Sequence, residues 1–190
     1  NTLIVNDGHI VVENNATVAN VVVEKSENAN VSLDNKGSVD LVAGADSTVT
    51  VSGVSEEKKI ETVSTLTENG GYVKLTADQS IDTSMVLRAN TILDLNGKTL
   101  TLGSQRDITI SGTTFTLMDS SEDKTGKIVK TTATGNGVFG VVNSSVFTMN
   151  GGSIELSDKG YNNGGYDGVI GVYVYPNCVA NINGGKITCK

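Results

Sequence analysis

One nine-residue phrase occurs twice in this chain at nearly fixed spacing, and that repeat narrows the fold more than any other feature. Val146-Phe147-Thr148-Met149-Asn150-Gly151-Gly152-Ser153-Ile154 lines up with Val179-Ala180-Asn181-Ile182-Asn183-Gly184-Gly185-Lys186-Ile187. Upstream, Gly137-Val138-Phe139-Gly140-Val141 lines up with Gly168-Val169-Ile170-Gly171-Val172, an offset of about 31 to 33 residues. A strand–Asn-Gly-Gly–strand phrase at that period fits one coil of a parallel β-helix, in which equivalent side chains stack on the coil above at about 4.8 Å. A β-sandwich has no need of the same phrase at a fixed interval.

The rest of the chain agrees with stacked strands. From Asn1 to about Gly53, short Val-rich segments alternate with polar turns such as Asp34-Asn35-Lys36-Gly37, the later strands recurring about every ten residues. Strands this short cannot bury a face alone, so stacking neighbours closes the core. From Tyr72 onward the alternation is clearer: Leu93, Leu95, Leu100 and Leu102 point inward, with polar residues mostly outward. Asn-Gly pairs starting at 96, 136, 150, 163 and 183 mark bends that tolerate positive φ. With no Trp and 4% aromatics, the core has to come from Val, Ile and Leu.

Between these stretches lies a different texture. Ser55 is a good N-cap, Glu56 and Glu57 suit a first turn, and Ile60, Val63 and Leu66 fall at helical spacing. These residues predict a capping helix over about 55–68, stopped by Gly70-Gly71; a charged linker is the alternative. The expected architecture is therefore all-β. A smaller Val-rich β-solenoid over 1–54 precedes a right-handed parallel β-helix over 55–190 that opens with that helix.

Ile92–Leu102, with the preceding Gly70-Gly71-Tyr72-Val73-Lys74-Leu75-Thr76-Ala77-Asp78, resembles the opening coils of the pectin-lyase-like superfamily. It is most similar to non-catalytic modules of large bacterial surface or secreted proteins. The resemblance covers about 55–190 and implies a β-helical scaffold, found outside the cell. Lyases, hydrolases, adhesins and tail proteins share that scaffold, so fold alone does not choose among them.

Catalytic chemistry is not in view. Lyases of the resembling fold use an Arg or Lys base with calcium held by acidic residues. Here the two arginines, Arg88 and Arg106, stand on separate units with no basic partner nearby in sequence, as outward coil residues would. The hydrolase signatures of that fold (Asn-Thr-Asp, Asp-Asp, Gly-His-Gly, Arg-x-Lys) do not occur, and His9 lies outside the resembling region. No cofactor is expected. Asp119, Glu122 and Asp123 form a candidate for calcium in a loop without EF-hand spacing, a solvated excursion between coils being the alternative. Cys178 and Cys189 flank one strand–turn–strand unit; a disulfide and two small buried side chains both remain open.

Four of the five tyrosines fall between 161 and 175. Tyr161, Asn163, Tyr166, Asp167, Tyr173 and Tyr175 combine flat rings with hydrogen-bonding groups, the pairing used to recognise sugars. Stacking of Tyr173 and Tyr175 on neighbouring coils is the plainer alternative. A net charge of −7 disfavours nucleic acid and anionic membranes, and no apolar run approaches the ~20 residues of a spanning helix. The opening Asn1-Thr2-Leu3 suggests a mature or excised fragment, and a stack halting at the Asn183-Gly184-Gly185 turn suggests further domains beyond Lys190. The resulting expectation is a structural or adhesive module, with glycan or host-surface partners. A carbohydrate-binding module comes second, and an incomplete polysaccharide-degrading enzyme third.

Overall fold

The computed structural model describes residues 2–25, 27–45, 48–103, 107–130, 137–156 and 170–189. The strands that stack from coil to coil pair in parallel, and the chain divides into two compact units, Asn1–Thr62 and Val63–Lys190. The described residues are all-β apart from one 3-10 turn, an arrangement consistent with a β-solenoid.

In the first unit the chain alternates between two sheets. One stacks Thr2–Val5, Thr17–Val23, Ser38–Ala43 and Lys59–Ile60; the other stacks Gly8–Val12, Val31–Asn35 and Thr50–Ser52. Thr17 faces Ser38 and Ser32 faces Thr50, so a coil takes roughly twice the ten-residue spacing seen in the sequence. That spacing marks half a coil, one strand and its turn. The interior is almost entirely valine: Val5, Val12, Val21, Val23, Val31, Val39, Val42 and Val49, with Leu33. Two sheets joined by such short coils leave a thin interior, and the compact β-branched side chain fills it with little rotamer freedom to lose. At the bend after Thr50–Ser52, Gly53 has φ +71°, and an added Cβ would lie 2.0 Å from the Asn35 carbonyl oxygen. Only glycine fits there.

No capping helix forms over 55–68. Glu56–Lys58 makes a single 3-10 turn, followed by the two-residue strands Lys59–Ile60 and Thr62–Val63. Ser55 makes no side-chain cap hydrogen bond. A dozen residues is a marginal isolated helix, and β-branched Ile60, Thr62 and Val63 lower its propensity further. Pairing wins instead, with Lys59 facing Val42 and Ile60 facing Ala43. That extra strand carries the first unit on to Thr62, beyond the boundary near residue 54 read from the sequence.

The second unit has three sheets. The first is six-stranded, with Thr62–Val63 at one edge followed by Gly71–Lys74, Thr91–Asp94, Thr114–Met118, Val146–Met149 and Val179–Ile182. The second stacks Gln79–Ile81, Thr99–Leu102, Lys127–Lys130, Ser153–Leu156 and Lys186–Cys189, and the third Met85–Leu87, Ile108–Ser111, Phe139–Val142 and Val172–Val174. Leu93, Leu95, Leu100 and Leu102 are all fully buried, as the alternation required. Phe115 faces Phe147 across neighbouring coils with rings stacked at 5.8 Å, and Phe139 tilts against both at 5.1 Å.

The repeated phrase pairs as the sequence alignment has it, with Val146 facing Val179 and Ser153 facing Lys186. The upstream phrase does not. Phe139 faces Val172 rather than Ile170, a slip of two residues that keeps every side chain on its own face, because side chains alternate with period two.

Candidate functional site

The polar residues of greatest interest cluster where the first sheet of the second unit ends and the chain turns. Asp94 and Asp119 each follow a buried strand segment, Thr91-Ile92-Leu93 and Phe115-Thr116-Leu117-Met118. Both are buried. Asp94 Oδ1 accepts from the backbone N–H of Asn96 (2.9 Å) and of Ser120 (2.8 Å) on the next coil. Its Oδ2 accepts from the Tyr72 hydroxyl at 3.3 Å and lies 4.0 Å from Lys74 Nζ.

Asp119 returns the favour downward. Its Oδ1 accepts from Gly97 N–H on the preceding coil (2.9 Å), from Ser121 N–H (3.2 Å) and from the Ser121 hydroxyl (2.7 Å). Oδ2 accepts from Gly126 N–H at 2.7 Å. At Gly126 an added Cβ would sit 2.6 Å from Leu95 Cβ and 2.7 Å from Asp119 Oδ2, so the carboxylate fits only against a bare backbone. Burial alone raises the Asp119 pKa. The Ser121 hydroxyl and the Gly97, Gly126 and Ser121 N–H groups outweigh it and hold the carboxyl below its ordinary range. A carboxylate so surrounded holds turns together; its lone pairs are already engaged.

The same use of polar side chains recurs at other corners. Asn90 Oδ1 accepts from both hydroxyls of Thr113 and Thr114 on the next coil. Asp78 accepts from Thr99 N–H (2.8 Å), Asn143 Nδ2 donates to Ser111 (2.8 Å), and Asn183 Nδ2 donates to Asn150 Oδ1 (3.0 Å). In the first unit Asp7 accepts from Asn30 N–H and Asn35 Nδ2 donates to the Gly53 carbonyl. Each bond joins adjacent coils and pairs a polar group at a turn.

Glu122 and Asp123, grouped with Asp119 as a candidate for calcium, are exposed, while Asp119 faces inward. Among the described residues no three His, Cys, Asp or Glu side chains are grouped to hold a metal ion. Tyr161, Asn163, Tyr166, Asp167 and Arg106 lie outside the described residues. Tyr173 and Tyr175 are described. Their rings meet at 4.7 Å and 60°, with 43% and 44% of each residue exposed. Tyr173 stands opposite Gly140 in the strand pairing. Arg88 is exposed. His9 Nδ1 lies 2.6 Å from Ser32 Oγ on the exposed face of the first unit, where the two residues are cross-strand neighbours. Cys178 and Cys189 form no bridge: both are free thiols, with Cys178 packed against the core.

Two buried groups carried no signal in the sequence. Asp94 sits within a strand pattern that places it outward, yet it is buried. Lys130 occupies an inward position between Leu102 and Leu156 and is 1% exposed, with Nζ donating to the Gly137 carbonyl at 2.7 Å. Burial pushes its pKa down, and the Asp107 charge offsets part of that shift. Comparison with protein-family models, curated proteins and solved structures returns no match.

Proposed function

We propose that the chain is a non-catalytic structural or adhesive module of a larger bacterial cell-surface or secreted protein. Its second unit is then a right-handed parallel β-helix of the pectin-lyase-like kind. The observation that carries this reading is how the buried polar side chains are used. Asp94, Asp119 and Ser145 accept or donate bonds that tie one coil to the next. A catalytic acid or base needs reach to a substrate proton, and a buried carboxylate accepting four bonds from its own turns has none to offer. The net charge of −7 supports a partner other than nucleic acid or an anionic membrane. The test is incubation with polygalacturonate and other polysaccharides, with and without calcium. The scaffold reading expects no turnover; cleavage would replace it with the polysaccharide-degrading alternative.

The Tyr173–Tyr175 ring pair favours one second reading, a carbohydrate-binding module. Two half-exposed rings, one in the strand Val172–Val174 and one just after it, offer an apolar sugar face something to stack on. A glycan array decides it. Binding lost in the Tyr173→Ala/Tyr175→Ala double variant would promote this reading, and Tyr166→Ala extends the test to the neighbouring tyrosine. An array without hits leaves the structural module.

A further inference from the structure

The opening end of the second unit lies inside the chain, and it is closed by other means than the coils that follow. Gln79–Ile81 and Met85–Leu87 are the first strands of the second and third sheets, and among the described residues no strand precedes either one in its sheet. Peptide groups on such an edge invite pairing with another chain. The Met85 N–H donates forward to the Asp107 carbonyl, so the next N–H along, that of Val86, points back toward the opening end.

Side-chain hydrogen bonds stand where those strands would be. Gln79 bonds Leu66 twice: its Oε1 accepts from the Leu66 N–H at 2.9 Å and its Nε2 donates to the Leu66 carbonyl at 3.0 Å. One amide thus makes both bonds that a neighbouring strand residue would make. Glu68 Oε1 accepts from the Val86 N–H at 3.2 Å. In the first sheet, the strand Thr62–Val63 lies beside Gly71–Lys74. Ser64, Thr65, Thr67 and Glu68 are exposed, whereas Leu66 is buried in the same apolar core as Ile81 and Leu87. The Gly70 N–H then donates to the Thr67 carbonyl at 3.3 Å as the chain turns into Gly71–Lys74. Gly70 has φ +67°, and an added Cβ there would lie 2.6 Å from Thr91 Oγ1, so this turn requires glycine.

We propose that residues 62–70 are an edge cap, which closes the first coil of the second unit and keeps its strand edges from pairing with a second copy of the chain. Each sheet is met by a different device: a two-residue strand, a glutamine amide and a glutamate carboxylate. One buried leucine plugs the apolar column, and the exposed Glu68 places a charge at the edge, which discourages a foreign strand. Terminal caps do this work in repeat proteins, and here it is done without a helix. A passive linker has no reason to bury Leu66 or to hold both of its backbone groups on one side chain.

The test uses the whole chain. Glu68→Ala combined with Gln79→Ala should speed amide exchange at Leu66 and Val86 by about tenfold or more, while exchange at Phe147 and Ile154 stays as in the parent. Sedimentation velocity should then show concentration-dependent self-association beyond the parent's. Glu68→Gln keeps an Oε1 acceptor and should leave Val86 protected to within about twofold of the parent. If the double variant fails to fold, Glu68→Ala alone, which removes a single exposed bond, is read at Val86: faster exchange with added association supports the cap, and unchanged exchange overturns it. Unchanged exchange at both amides of a folded double variant would overturn the proposal, as would faster exchange without association beyond the parent's. The proposal rests on the stacked-coil fold alone, so polymer turnover or glycan binding would leave it standing.

Discussion

The two units reach a parallel stack by different means. Where the coil has two strands, the interior is a double row of valines, and the corners are held by exposed or half-exposed groups such as Asn35 and Asp7. In the three-sheet unit the interior widens enough for leucine, isoleucine and a triad of phenylalanines, and the corner carboxylates Asp94 and Asp119 are buried. Side-chain size follows coil length, and so does the importance of each corner. A wider coil buries more apolar area per residue, and it also traps polar turn groups away from water, where they must be paired.

The largest effect that comparison expects is in the wide unit. Phe147→Ala removes the ring stacked between coils and should lower stability by about 3–5 kcal/mol in urea unfolding. Val42→Ala in the narrow unit should lose only about 2 kcal/mol. Equal losses would break the link between coil length and core size.

Next come the corners. Asp119→Ala strands the N–H groups of Gly97, Ser121 and Gly126, and should cost about 2–3 kcal/mol. Asn35→Ala, at a more exposed corner, should cost about 1 kcal/mol. Because the folded Asp119 carboxyl titrates below its unfolded value, its stabilisation is complete above about pH 4 and fades as pH falls through the lower folded value. The Asp119→Asn variant should therefore show a flatter loss of stability in acid than the parent.

Lys130 gives a smaller effect of opposite sign. Lys130→Met keeps the column between Leu102 and Leu156 filled while removing a buried charge, and should be neutral or stabilising by about 1 kcal/mol. A base whose folded pKa is lowered holds fewer protons folded than unfolded, so the parent should gain stability as pH rises from the folded value toward the ordinary 10.5. That gain should be absent in Lys130→Met. Smallest of all, Lys127→Ala breaks a half-exposed pair with Glu155 (3.4 Å) and should change stability by less than about 0.5 kcal/mol.

The stacking was legible because it is written twice. Val146–Ile154 and Val179–Ile187 share spacing, turn residues and register, and the alternation of Leu93, Leu95, Leu100 and Leu102 fixed which side faces in. The misreadings have physical causes. Ile60, Val63 and Leu66 match a helical period, but β-branched residues beside an open sheet edge gain more from pairing. Gly137–Val141 slipped by two because period-two side chains make that slip nearly silent. The role of Asp119 in tying turns together was not legible, because one of its partners, Gly97, comes from the preceding coil. Lys130 ends an ordinary Lys-Ile-Val-Lys strand, and only the register shows that its side chain enters the core.

Nuclear Overhauser contacts between backbone protons test the stack most directly. Parallel in-register coils should connect Phe147 with Ala180, Ile128 with Ile154 and Phe115 with Phe147, through Hα-to-amide contacts at those registers. Close Hα-to-Hα pairs between consecutive strands, the mark of antiparallel hairpins, would contradict it and take the scaffold reading down with it.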